Sequence, residues 1–174
     1  MKQDPGVRFS EFESRDLPAA LAVFNHYVRT STAVYMDAPL SEEEFSPLVN
    51  FPDPRHGTFS IFREGRFAGY VTLKPFSPRS GYSFTAEISV FLDPALVGKG
   101  TGSAAIGFIE QKARERGFHV LLACVSGDNE ASLRLFERTG YGKVGHFRDV
   151  GFKFGRRLDT IYCEKILGAT PRES

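Results

Sequence analysis

Tryptophan is absent from the 174 residues, and cysteine occurs only at Cys124 and Cys163. Two cysteines without regular spacing cannot build the disulfide framework of a small secreted scaffold. Both lie in apolar, strand-like runs and are expected to be reduced core residues. No histidine stands at a motif spacing that would make either one a catalytic thiol. Long apolar runs are missing too: none approaches the ~18 residues of a membrane-spanning helix. The start, Met1-Lys2-Gln3-Asp4-Pro5, lacks the apolar stretch of a secretion signal, so a cytoplasmic location is expected. Nor does one sign of charge dominate. The 22 Lys and Arg stand against 21 Asp and Glu, a net charge of +1, which gives no electrostatic ground for a nucleic-acid or membrane partner. The clusters Arg156-Arg157 and Arg114-Glu115-Arg116 are expected to be solvated. No metal is expected.

What is present is a globular chain with an aromatic core. Phenylalanine occurs 17 times, and hydrophobic and charged residues make up 41% and 25% of the chain, which suits one domain over residues 1–174. Apolar alternation predicts a first strand over 7–13. Ser14 is placed to cap a helix running to about Val28, with Leu17, Leu21, Phe24 and Val28 on one face. Ser41-Glu42-Glu43-Glu44 reads as a capping box opening a second helix, which Pro52 and Pro54 end. Strands over 58–63 and 67–73 flank a Glu64-Gly65 turn, and a loop over 74–80 leads to a strand over 84–92. A helix over 103–116, a buried strand over 119–125, a helix over 129–139 and strands over 142–149 and 160–166 complete a βααβββαβαββ order. The fold class is mixed α/β.

The most informative stretch is Val97-Gly98-Lys99-Gly100-Thr101-Gly102. It lies between a strand that breaks at Asp93-Pro94 and the start of an amphipathic helix. A helix N-terminus leaves backbone N–H groups unpaired, and glycine lets an anion approach them without a Cβ in the way. An ordinary glycine turn has the same spacing, but strand, loop and helix stand in the order an anion site needs. A P-loop requires Gly-Lys-Ser/Thr, and here Lys99 is followed by Gly100. A dinucleotide fold wants G-x-G-x-x-G and an acid about 20 positions on; Gly117-Phe118-His119-Val120 has none.

Three segments follow one another at a recognisable spacing: Thr85-Ala86-Glu87-Ile88-Ser89-Val90-Phe91-Leu92-Asp93-Pro94, the glycine loop, and Asn129-Glu130-Ala131-Ser132-Leu133-Arg134-Leu135-Phe136-Glu137-Arg138-Thr139-Gly140-Tyr141. In these the chain resembles the GNAT acetyltransferase superfamily. Phe24-Asn25-His26-Tyr27-Val28-Arg29-Thr30-Ser31-Thr32, Gly81-Tyr82-Ser83-Phe84-Thr85-Ala86-Glu87 and Phe147-Arg148-Asp149-Val150-Gly151-Phe152-Lys153-Phe154-Gly155 resemble its phosphinothricin, methionine sulfoximine and L-amino-acid N-acetyltransferase branch. The resemblance covers roughly residues 7–167. It implies a GNAT fold, with a central, mostly antiparallel, splayed sheet flanked by helices, and homodimers.

It also implies acetyl-CoA as co-substrate and a small-molecule amine as acceptor. By position, Gly98, Lys99, Gly100, Thr101, Gly102 and Ser103 would hold the coenzyme A pyrophosphate through backbone N–H groups, and the main chain of Val90, Phe91 and Leu92 would pair with the pantetheine arm. Asn129 matches a coenzyme-contacting asparagine, and a plain helix N-cap reads equally well. Glu87 matches the general base; as a carboxylate in an apolar run it is expensive unless it faces a cleft or a partner. Lys74, with Arg79 in the same loop, is a candidate for an acceptor carboxylate or a solvated loop charge. Tyr35, Phe76 and Tyr82 are candidates for the acceptor wall, with Ile88 and Ser89 beside the base.

The chain departs from the resemblance at four places. Val97 stands where Arg or Gln is usual, and Met36 where the branch commonly has arginine. Arg157-Leu158-Asp159 replaces an aromatic-His-Asp or aromatic-Leu-Asp run. Phe136 stands where many members carry a tyrosine, or in this branch a histidine, able to protonate the leaving thiolate. The implied reaction is acetylation of an amino acid or analogue such as methionine sulfoximine, methionine sulfone or phosphinothricin. A polyamine, an antibiotic or a protein N-terminus is the alternative acceptor, and a weakly active acyl-CoA sensor the alternative role.

Overall fold

A computed structural model describes residues 6–168; the Met1-Lys2-Gln3-Asp4-Pro5 start lies outside the described residues. In chain order come β1 (Val7–Glu11), α1 (Leu17–Thr30), α2 (Glu42–Val49), β2 (Gly57–Arg63), β3 (Arg66–Pro75), β4 (Thr85–Leu92), α3 (Thr101–Glu115), β5 (Val120–Ser126), α4 (Glu130–Arg138), β6 (Gly142–Lys153) and β7 (Arg156–Ile166). This is the expected order of elements. Among the described residues the strands form one seven-stranded sheet, β1-β2-β3-β4-β5-β7-β6. Every neighbouring pair is antiparallel except β4 with β5.

That one parallel pair is short. Thr85, Ala86 and Glu87 pair with Val120, Leu121 and Leu122, and the strands then part, β4 running on to Leu92 and β5 to Ser126. Along its other edge β4 stays paired to β3 up to Leu92, opposite Gly69. The result is a V-shaped opening in the middle of the sheet. One core lies on the face covered by α3 and α4: Ala86, Ile88, Leu121 and Ala123 pack with Ile106, Ile109 and Phe136. The other face carries Tyr70 and Phe91 against Phe24, Val28 and Phe45 of α1 and α2. Period-2 alternation therefore sends Glu87 to the face of α1 and α2 and its neighbours Ala86 and Ile88 to the opposite one.

Local details correct the sequence reading in five places. Ser14 does not cap α1. It lies in a single 3₁₀ turn whose ends are held by Glu13 and Asp16, the Glu13 N–H donating to Asp16 Oδ2 at 3.2 Å; Pro18, lacking an N–H, suits the first turn of α1 that follows. The Ser41–Glu44 capping box is present, but α2 ends at Val49, before either expected proline. Strand β3 continues through Lys74, opposite Glu87, where a loop was expected. The last two strands are longer than expected, meeting at a tight turn with Phe154 and Gly155 at φ +51° and +73°. Cys163 is buried, as expected, but Cys124 is exposed, because beyond Leu122 strand β5 loses its neighbour β4.

Candidate active site

The glycine loop is built from the end of β4 outward. Asp93 Oδ1 accepts the Ala95 N–H at 2.9 Å and closes a short turn over Pro94–Leu96. Gly98 and Gly100 follow at φ +80° and +81°, a conformation that side-chain-bearing residues avoid. A Cβ on either would meet no atom within 4 Å, so the outer side of the loop is open. No side chain caps α3 at Gly100. Its first intrahelical bond runs from Ala104 N–H to Gly100 O at 3.1 Å, so the N–H groups of Thr101, Gly102 and Ser103 are the helix's orphan donors. Gly102 has a different reason: a Cβ there would lie 2.9 Å from Leu135 Cδ2, so it serves the packing of α3 on α4. Thr101 is buried, and its Oγ1 accepts from Arg63 Nη1 at 3.0 Å. Open space in front of orphan donors suits a diphosphate.

The free edge of β4 presents the backbone of Val90, Phe91 and Leu92 to the V. Their side chains are engaged elsewhere: Val90 and Leu92 in the core under α3, Phe91 stacked on Tyr70 at 5.3 Å. The Leu92 carbonyl also accepts from Tyr27 Oη at 2.8 Å; burial, then the charge of Asp93, push that phenol up. Across the opening, Asn129 is the N-cap of α4, its Oδ1 accepting the Ser132 N–H at 3.1 Å. The cap uses Oδ1 and not the Nδ2 donor.

Glu87 sits at the point of the V, the last β4 residue paired with β5. Lys74 Nζ meets its Oε1 at 2.8 Å, their side chains 35% and 15% exposed. Cys124 and Tyr162 stand opposite each other on β5 and β7. Enclosure of the sulfur, then the charge of Glu87, push the Cys124 thiol up. Burial, then Cys124 and Glu87, push the Tyr162 phenol up to about 12, so it remains a proton donor at neutral pH. The sequence alone does not single out Tyr162, and it places Cys124 in the core, where the structure leaves it exposed. The signal for both was alternation, which sets Tyr162 on the face opposite Ile161 and Cys163.

The other expected residues are dispersed around this centre. Tyr35 Oη bonds Ser126 Oγ at 2.8 Å and the Asp159 carbonyl at 2.6 Å, and its ring lies where a Cβ on Gly151 would be. Lys153, buried, pins the same loop by donating to the Ser31 and Val34 carbonyls at 2.8 and 2.6 Å; burial pushes its ammonium down. Asp128 accepts from Ser126 and Thr32 and pairs with Arg156; against a burial that raises it, these bonds hold its carboxyl at about 2. Phe76 and Tyr82 meet edge to face at 5.4 Å beyond β3, and Arg79 lies over Tyr82 at 5.8 Å. Ser89 lies on the Glu87 face. Ile88 sends its side chain into the core, leaving only its backbone for a ligand. Phe136 is buried too, edge-on to Tyr141 at 5.1 Å.

Residues 20–141 match the acetyltransferase (GNAT) family. The chain is 33% identical to the phosphinothricin N-acetyltransferase of Alcaligenes faecalis, over 88% of this chain and 79% of that one. It is 29% identical to an L-methionine sulfoximine/L-methionine sulfone acetyltransferase of Pseudomonas aeruginosa, over 89% and 91%. Among solved structures, a phosphinothricin acetyltransferase from Sinorhizobium meliloti in complex with acetyl-CoA superposes with a TM-score of 0.90 at 26% identity, covering 97% of this chain and 95% of that one.

Proposed function

The chain belongs to the acetyltransferase (GNAT) family, and on that premise we propose that it moves the acetyl group of acetyl-CoA to the primary amine of a zwitterionic α-amino acid or analogue, of the methionine sulfoximine, methionine sulfone or phosphinothricin kind. The observation that carries this reading is the Lys74–Glu87 pair, 2.8 Å apart beside the V. An α-amino acid offers the same two charges in reverse. Its ammonium replaces Lys74 at Glu87, and its carboxylate takes the released Lys74, so the site gains no net charge and neither partner is left uncompensated. A polyamine would bring cations beside Lys74 with nothing to balance them. The similarity to amino-acid-analogue acetyltransferases supports the same acceptor class.

In this reading the donor is held at two places: its diphosphate by the orphan N–H groups of α3 and the open glycine loop, its pantetheine arm along the backbone of β4 with Asn129 opposite. Acetyl-CoA supplies an acyl carbon already activated as a thioester. Glu87 accepts a proton from the acceptor's ammonium, which frees the nitrogen lone pair for attack; the N–C bond forms, the C–S bond breaks, and the thiolate departs. The thiolate takes a proton from Tyr162, protonated at neutral pH, or from water, and the second proton that the nitrogen loses on becoming an amide restores that donor. Tyr35, Phe76 and Tyr82 are read as the wall against the acceptor's side chain.

We read residues 1–174 as one such domain, at work in the cytoplasm, where acetyl-CoA is available, and as a homodimer. The dimer reading is supported by the β6–β7 hairpin, which leaves Val144, Phe147, Val150, Phe152 and Phe154 exposed, more apolar surface than one hairpin commonly leaves in water. Thiol release with acetyl-CoA and an acceptor panel tests the function. Turnover of free α-amino acids or their sulfone and sulfoximine analogues is expected; turnover confined to polyamines or aminoglycosides would overturn the acceptor class, and acetyl-CoA binding without turnover of any amine would point to a sensor.

A further inference from the structure

We infer that Arg63, at the far end of β2, is the residue that orients the glycine loop for the diphosphate of acetyl-CoA; this rests on the coenzyme site proposed above. Its Nη1 donates to the Lys99 carbonyl and to Thr101 Oγ1, both at 3.0 Å. Those acceptors lie on either side of Gly100, at the point where the chain turns from loop into α3. The peptide between Lys99 and Gly100 is planar and trans. Turning the Lys99 carbonyl onto Arg63 therefore sends the Gly100 N–H the opposite way, to the outer side of the loop.

Two further observations give that contact a purpose. A loop with glycines at Gly98 and Gly100, neither Cβ position hindered, has many conformations available, and only some align its N–H groups. A guanidinium nitrogen that bonds on both sides of Gly100 selects among them at little entropic cost, because its two N–H groups are fixed in the guanidinium plane. The electrostatics point the same way. Lys99 is a cation at the N-terminus of α3, the positive end of the helix dipole, where a cation is unfavourable. A bound diphosphate reverses that sign and makes the dipole, the orphan N–H groups and Lys99 favourable together.

The test uses the whole protein with two donors, acetyl-CoA and S-acetylpantetheine, the second lacking the diphosphate. Arg63→Ala should raise the KM for acetyl-CoA by about 10-fold, the worth of a charge-assisted hydrogen bond, with kcat and the KM for the amine little changed. Parent and variant should use S-acetylpantetheine equally well, and Arg63→Lys, which keeps the charge without the planar pair of N–H groups, should recover part of the loss. Arg63→Ala lowering kcat/KM equally for both donors would overturn the inference, since the residue would then serve the fold or the acceptor. So would an unchanged KM for acetyl-CoA. Gly100→Glu separates this from failure of the site itself. Calorimetric loss of acetyl-CoA binding in the folded Gly100→Glu variant, with Arg63→Ala unaffected, would refute Arg63 alone; retained binding in Gly100→Glu would remove the diphosphate site.

Discussion

If Lys74 takes the acceptor's carboxylate, Lys74→Met should erase the preference for a free amino acid over its methyl ester. Two unit charges 4 Å apart attract by ~1 kcal/mol in bulk water and by ~4 kcal/mol at an effective dielectric constant of 20. Lys74 is about one-third exposed, in a cleft and not on an open surface, which puts the interaction between those limits at ~2 kcal/mol. That is also the usual net worth of a hydrogen bond to a charged group, and it corresponds to about 30-fold in kcat/KM. Losing Lys74 also removes the partner of Glu87, but that change acts on acid and ester alike. The acid-to-ester ratio therefore isolates the carboxylate contact, as a double-mutant cycle does. The assay is steady-state thiol release with one amino acid and its methyl ester, in parent and variant. The parent should favour the acid by about 30-fold, and Lys74→Met should bring the ratio close to one. An equal ratio in the two proteins, or a parent indifferent to the ester, would refute the carboxylate role of Lys74.

Glu87→Gln keeps the shape but cannot take a proton, so turnover at neutral pH should fall by ~10²-fold or more; the deficit should shrink at high pH, where free amine is abundant, and a deficit constant with pH would mean that Glu87 only positions. Iodoacetamide should label exposed Cys124 and spare buried Cys163, as peptide mass spectrometry would show. Because enclosure and then Glu87 push the Cys124 thiol up, labelling should accelerate only above the ordinary thiol range, and Glu87→Gln should move that rise to lower pH; an unmoved titration would exclude the coupling. Phe136→Tyr should lower the melting temperature, since a hydroxyl left unpaired in that core costs ~1–3 kcal/mol, while raising kcat by at most ~10²-fold if thiolate protonation limits turnover. A folded variant no faster on any accepted amine would show that this step is not limiting.

Much of the candidate site is legible in local chemistry. Glycines ahead of an amphipathic helix and an acid inside an apolar strand are features of single segments. What could not be read depends on neighbours distant in the chain. Alternation marks the two faces of β5 but says nothing of where β4 leaves it, so Cys124 passed for a core residue. The sequence places Lys74 at the start of a loop over 74–80, yet β3 extends through Lys74 and Pro75 to meet β4, and only that register joins Lys74 to Glu87. Over 147–154 the period of two is interrupted: the register shifts between Phe147 and Gly151, and Asp149 sits at φ +56°. The phenylalanines there lost the rhythm of a strand while remaining part of one.

The place of Glu87 at the point of the V has a mechanical side. From it to Leu92, the far end of β4, is five residues, a lever arm of about 17 Å at strand rise. If the half of the sheet made of β5, β7 and β6 swings about the short parallel seam by ~10°, the open end gapes by ~3 Å over that arm, while the carboxylate at the pivot hardly shifts. Entry of a long, jointed donor and exact placement of one proton acceptor make opposite demands on a sheet. A seam of only three residue pairs with the acid at its last one would let the mouth give way while the proposed proton acceptor stays in place.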